Sequence, residues 1–296
     1  MKTYIAELVY MSSAVLGEGP LWDEKRGVLW WVDIVGGQVH KFNPGTKQDE
    51  IFSIGTPVGA VVLDKEGHLI LAVKNGFARY DTETNTLEML ATVEHTNKSI
   101  RFNDGKCDPY GRLWAGTLAE DGTPDAGRLF CLEHDFSVTE KQSGVGISNG
   151  IGWNANEDTM YYIDSQSQQV VAYEYDKDSG AITHPRTIVT IDEAEGTPDG
   201  MCVDSEGMVW VALWGGGKVV RINPDNGERL AEVQVPDVTH VTSCTFGGKD
   251  MNILFITTAR QGLTPEEEKN EPYAGSIFAV ETDTTGRFAH TYKGGK

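Results

Sequence analysis

Six residues, Glu18, Gly59, Asn103, Asn149, Asp199 and Thr242, stand at the same place in a recurring sequence pattern, and four of them carry side-chain carbonyl or carboxylate oxygens. Two carboxylates and two carboxamides form an oxygen-only donor set, which suits a hard cation such as calcium or magnesium. Calcium takes about six to eight oxygens, so four side chains would leave positions open to water or substrate. Glu18 and Asp199 would largely neutralise a divalent ion. With no ion between them they would repel each other, and one of the two pKa values would rise. Taken singly, each residue reads as an Asn or Asp satisfying backbone amides at a turn. Four in one repeat position read instead as a convergent cluster able to do chemistry.

The pattern that aligns them is a short apolar strand, a polar turn and a second apolar strand. It is clearest in Met201-Cys202-Val203, Asp204-Ser205-Glu206-Gly207 and Met208 to Leu213. Its first turn residues are Asp23, Asp64, Asp108, Asn154, Asp204 and Gly247, spaced 41 to 50 residues apart, and the six positions above lie five residues before them. Short strands repeating every 40–50 residues or so are the mark of β-propeller blades. Further strands are expected at Gln38–Phe42, Phe77–Tyr80, Arg128–Leu132, Val170–Tyr175 and Lys218–Ile222, each followed by a polar turn. The expected fold is therefore all-β, a six-bladed β-propeller with a central metal site, forming one domain over residues 1–296. Thr3–Val9 is expected to pair into the last blade beside Ser276–Val280 and so tie the two ends together. Thr264 followed by Pro265 marks the start of one short surface helix. In a propeller, equivalent positions are related by rotation about the axis, which brings Glu18, Asn103, Asn149 and Asp199 toward the mouth of the channel.

Composition narrows the partners. The 296 residues carry a formal charge of −19, which argues against nucleic acid and against anionic membrane surfaces. No run approaches the roughly 18 apolar residues of a membrane span, and Met1 to Glu7 lacks the apolar block of a signal peptide. The four cysteines, Cys107, Cys131, Cys202 and Cys244, form no Cys-x-x-Cys pair and read as small buried hydrophobes of a reduced, cytoplasmic protein. Oligomeric state is not legible.

Other residues take places around the cluster. Arg101 lies two positions before Asn103, so strand alternation aims both side chains the same way. Asp104 either orients these two or holds the turn before Gly105. Gly146-Ile147-Ser148-Asn149-Gly150 fits a nucleophile-elbow pattern, but a strand follows where that motif needs a helix, so Ser148 is not read as a nucleophile. His240 is expected in a structural role near the mouth. Trp22, Trp114, Trp153 and Trp210 occupy equivalent strand positions and are expected to pack between blades.

The segments Leu16-Gly17-Glu18-Gly19-Pro20-Leu21-Trp22, Arg101-Phe102-Asn103-Asp104-Gly105-Lys106, Ser148-Asn149-Gly150 and Pro198-Asp199-Gly200-Met201 resemble the motifs of the SMP-30/gluconolactonase/luciferin-regenerating family, to which regucalcin belongs. Phe246-Gly247-Gly248 and Ala259-Arg260-x-Gly262 are similar to it as well. The resemblance covers nearly the whole chain and implies a six-bladed propeller that hydrolyses sugar lactones to aldonic acids with one divalent metal ion, calcium first, with zinc, manganese or magnesium as alternatives. It implies Glu18, Asn149 and Asp199 as metal ligands, Asn103 as a ligand or substrate contact, and Arg101 as a substrate-binding arginine. It also implies an acidic substrate contact at Glu120 or Asp121. In this reading Asp199 is also the catalytic residue, taking a proton from the attacking water. The alternatives are a metal-dependent esterase or organophosphatase, a calcium-binding regulatory protein of the regucalcin type, and a protein-binding platform.

Overall fold

The computed structural model describes residues 1–95 and 97–295. Its strands form six sheets. The innermost strands are Gly17–Asp23, Val58–Leu63, Ile100–Cys107, Ser148–Trp153, Thr197–Val203 and Val241–Gly247. Each packs against the inner strands of its two neighbours, and the sixth returns to the first, so the sheets close into a six-bladed β-propeller. The strands expected between the repeat copies all form, and Pro265–Asn270 is a helix capped by Thr264.

The repeated turn residue has a physical role. The Oδ1 atoms of Asp23, Asp64, Asp108 and Asp204 each accept two backbone amides of the turn that follows, as Asn154 does in blade four. In blades three and five the second oxygen accepts an indole N–H, Trp114 to Asp108 and Trp210 to Asp204, both at 2.9 Å, and an arginine closes the box, Arg112 at 2.6 Å and Arg221 at 2.8 Å. The four tryptophans then pack as expected. Trp22 stacks on Phe255, Trp114 meets Trp153 edge to face, and Trp210 meets Phe246, each pair bridging two blades.

Ring closure differs from expectation in one respect. The N-terminal segment is two strands, not one. Glu7–Tyr10 pairs antiparallel with Ile277–Glu281 and completes blade six, whereas Lys2–Ile5 pairs parallel with Arg229–Gln234 as a fifth strand of blade five. Between them Ala6 is buried and donates its N–H to Gln234 O at 2.9 Å, so a small residue marks the step from one blade to the next. The chain end forms a second tie. Gly286 bridges to Asp204 of blade five, Tyr292 to Asp64 of blade two, and Lys293 N–H reaches Gly111 O of blade three, so the tail crosses the base of the propeller.

Candidate active site

All six inner strands break register at the recurring position, between Glu18 and Leu21, Val58 and Ala60, Asn103 and Gly105, Ser148 and Ile151, Pro198 and Met201, and Val241 and Ser243. A bulge releases one residue from the ladder and re-aims its side chain. Here it does so six times around one axis. Glu18, Arg101, Asn103, Asn149 and Asp199 consequently line a single cavity of about 300 Å³, and none is more than 6% exposed. Leu118, Ile147 and Trp214 give the same cavity an apolar side.

The two remaining members of the column are structural. Thr242 spends its hydroxyl on Gly17 O at 2.6 Å and on Thr257 Oγ1, steering the strand that carries Glu18. Gly59 has a steric reason to be glycine. A Cβ there would lie 2.5 Å from the backbone carbon of Phe102, so the glycine is required by the close approach of the strand that presents Asn103. Gly200 serves the same end beside Asp199, where a Cβ would meet Ser243 Oγ at 2.1 Å.

Asn149 is held at its nitrogen, which donates to Ser165 Oγ at 3.1 Å, while Ser165 Oγ donates to Pro198 O at 2.7 Å. Its Oδ1 is buried and has no hydrogen-bond partner. Glu18 Oε2 accepts the Gly19 N–H at 2.8 Å. The Glu18 and Asp199 carboxyls are both buried and act on each other across the cavity. Burial, then the charges of Asp199 and Asp104, hold the Glu18 carboxyl well above the usual range. Burial, then Asp104, does the same to Asp199. Two buried carboxyls competing for a proton beside an orphaned amide oxygen are a donor set that fits one hard cation, which would take the proton's place.

Arg101 and Asn103 do meet. The guanidinium Nη1 donates to Asn103 Oδ1 at 2.8 Å, and Asn103 Nδ2 donates to Ser148 O at 2.8 Å. Arg101 Nε donates to Glu120 Oε1 at 2.9 Å. Burial lowers the pKa of the guanidinium, with Glu120, Glu18 and Asp199 opposing that shift. Of the two candidate acids, Glu120 thus joins the cluster through Arg101. Asp121 accepts from Asn97 Nδ2 and from the amide and hydroxyl of Thr123, which hold its carboxylate well below its ordinary range in a surface turn. Asp104 takes the backbone role. Its Oδ1 accepts the Gly105 N–H at 2.6 Å, and its φ of 44° is the left-handed turn of the bulge. Ser148 is fully buried and accepts from Tyr162 OH, and His240 stacks flat on Trp214.

Sequence reasoning missed Ser165, Trp214 and the two residues that brace the site from behind. Asp33 accepts the Val15 and Leu16 amides, and Asp164 accepts those of Gly146 and Ile147. They end the second strands of blades one and four and fix the loops that lead to Glu18 and Asn149. Their shared place at the end of Trp30-Trp31-Val32-Asp33 and Tyr161-Tyr162-Ile163-Asp164 was the available signal. A separate convergence of Asp64, Glu66 and His68 lies at the surface, where Asp64 holds the amides of the other two as a turn.

The profile of the SMP-30/Gluconolactonase/LRE-like region matches residues 16–260. The chain is 41% identical over 273 residues, 92% of its length and 93% of the other's, to a Bacillus subtilis (strain 168) protein named "Putative sugar lactone lactonase YvrE". It is 39% identical over 285 residues, 95% of each chain, to regucalcin of Xenopus laevis. The crystal structure of a calcium-binding regucalcin from Agrobacterium tumefaciens superposes with a TM-score of 0.93 at 26% identity over 99% of both chains. The chain belongs to the SMP-30/gluconolactonase/LRE-like family.

Proposed function

We propose that this protein hydrolyses sugar lactones to aldonic acids with one divalent cation held by Glu18, Asn149 and Asp199. The observation that carries the reading is the placing of two buried carboxyls, Glu18 and Asp199, in one cavity with the unpartnered Oδ1 of Asn149. The similarity to a protein named as a sugar lactone lactonase, and to regucalcins, supports it. Calcium is the ion the donor set favours, and zinc, manganese or magnesium are the alternatives. When bound, such an ion supplies Lewis acidity toward the ester carbonyl under attack.

The chain's own residues do the rest. Asp199 would serve both as a ligand of the cation and as the group that accepts the proton of the attacking water. Arg101, fixed by Glu120 and by Asn103, presents its remaining N–H groups to the sugar hydroxyls. Asn103 has its Oδ1 engaged by Arg101, so in this reading it orients substrate first and reaches the cation only by sharing that oxygen. Leu118, Ile147 and Trp214 cover the less polar side of the cavity. They keep bulk water from the reacting bond. All four cysteines are free and buried, which supports a reducing, cytoplasmic setting.

The test is a panel of gluconolactone, xylonolactone, arabinolactone and galactonolactone assayed by acid release, with a simple aryl ester and an organophosphate alongside. Turnover of at least one sugar lactone well above the other two classes is expected. Turnover confined to the aryl ester or the organophosphate would overturn the assignment, and metal binding without any turnover would favour a regulatory role.

A further inference from the structure

The axial channel has a second chamber at its other end. Below the polar cluster, the later halves of the inner strands and the C-terminal tail enclose a cavity of about 80 Å³. Asp199 and Val203 mark its distance from the cluster: four residues of strand, or on the order of 13 Å. Lys106 comes from the inner strand of blade three, and Arg287 and His290 come from the tail that crosses the base. The chain carries 44 acidic residues, yet none lines this chamber.

The cations there are not neutralised by contact. Lys106 Nζ donates to Met201 O at 2.7 Å, and Arg287 Nη1 donates to Trp153 O at 3.2 Å. These are their only hydrogen bonds among the described residues, so most of their donors stay free. Two acids act on this end of the chain, Glu157 on both Arg287 and His290 and Asp108 on His290, and each is bonded elsewhere, Glu157 to Lys177 at 2.8 Å and Asp108 to Arg112 at 2.6 Å. Asp104 attracts Lys106 from higher in the channel, but its Oδ1 is held by Gly105. The tail is tied on both sides of the chamber, at Gly286 to Asp204 and at Tyr292 to Asp64, so Arg287 and His290 are fixed over it before any ligand arrives. Preorganised donors of this kind bind an anion with little ordering cost.

We propose that this basal chamber is a binding site for a small oxyanion of the phosphate class, held by Lys106 and Arg287 with His290 as a third donor. A volume near 80 Å³ holds one such group, either free or as the phosphate end of an ester whose remainder lies outside the chamber. Pro20 and Leu21 give the chamber an apolar wall, and Thr245 and Trp153, whose buried indole N–H has no partner among the described residues, also line it.

The test uses the full chain after chelation, so that no metal ion can bind the anion. Inorganic phosphate and glucose 6-phosphate are titrated separately at constant ionic strength, and binding is followed by calorimetry and by Tm. Saturable binding of about one anion per chain is expected, with Tm rising logarithmically above the Kd. The tighter of the two anions identifies the source of the group. Arg287→Gln and Lys106→Met should each weaken binding roughly 10-fold or more, the usual value of a charge-assisted contact. In the unmutated protein the His290 imidazole resonances should shift with the same midpoint, a readout that does not depend on either variant folding. Binding of neither anion beyond a chloride control, an unmoved His290, or variants that bind as the parent does would each overturn the proposal.

Discussion

Asn149 and Ser165 are joined by a hydrogen bond from the amide nitrogen to the serine oxygen at 3.1 Å, and this leaves the amide oxygen buried and unpartnered. Ser165 is itself anchored by donating to Pro198 O at 2.7 Å, on the strand that carries Asp199. One hydroxyl therefore fixes the orientation of one proposed ligand against the strand of another. Ser165→Ala should keep the fold and lower affinity for the divalent ion by about 10- to 100-fold, the range for losing a group that orients a ligand. Calorimetric metal titration of the two proteins checks this. Equal affinities would mean that the amide is positioned by packing alone.

The buried pair Glu18 and Asp199 makes the metal-free protein pH-sensitive. Both folded-state pKa values are raised, by burial first. Between the unfolded and folded values the native state therefore holds more protons than the unfolded state, and stability falls as pH rises through that window. Chelated protein should lose Tm from weakly acid to neutral pH, and saturating metal should restore it. Glu18→Gln removes one of the competing charges, so chelated Glu18→Gln should be more stable than the parent at neutral pH by about 1–2 kcal/mol, within the ordinary range of single substitutions. Denaturant melts with and without chelator measure both effects. A metal-free stability that is flat with pH would contradict the reading.

Arg101 distinguishes the two acids on the neighbouring loop. Its Nε holds Glu120, whereas Asp121 is occupied by Asn97 and Thr123. Glu120→Gln should raise KM for a sugar lactone several-fold with a smaller effect on kcat, because it loosens the arginine. Asp121→Asn should leave KM within about twofold while costing a little stability in its turn, as surface substitutions do. The reverse ranking in steady-state kinetics would assign the contact to Asp121.

Asp108 anchors blade three and lies far from the cluster along its strand. It is fully buried and accepts from Arg112, Trp114, Tyr175 and two turn amides. Asp108→Ala would leave the equally buried Arg112 without its counterion, a loss of about 3–5 kcal/mol for a broken buried pair. Thermal melts should show a large drop in Tm, with kcat at low temperature nearly unchanged. A small drop would show that Tyr175 and the backbone carbonyls already satisfy the guanidinium.

The fold was readable because its signal is repeated. The turn residue recurs six-fold in place, and in five of the six copies an Asp or Asn holds the backbone amides of its turn. The convergence of Glu18, Asn103, Asn149 and Asp199 on one cavity was readable for the same reason, since they occupy one position of that repeat. What escaped was whatever broke the repeat. Ser165 and Trp214 have no counterparts at their positions in the other blades, so periodicity could not flag them. The split of the N-terminal segment at Ala6 depends on two separate sheets meeting there, which no local pattern encodes. The need for glycine at position 59 was not legible, because it answers a neighbour 43 residues away, Phe102, across a blade boundary. Glu120 and Asp121 could not be separated by sequence, because only the fold decides which of two adjacent acids faces Arg101.

The central claim is that Glu18, Asn149 and Asp199 hold one divalent ion on which lactone opening depends. The most direct measurement strips the protein with chelator, adds metal back in substoichiometric steps, and follows both bound ion and acid release from a sugar lactone. The account predicts activity rising in proportion to occupancy and levelling at one ion per chain, with Asn149→Ala and Asp199→Asn failing to recover it. Full turnover by the stripped protein, or recovery that tracks no bound ion, would contradict it.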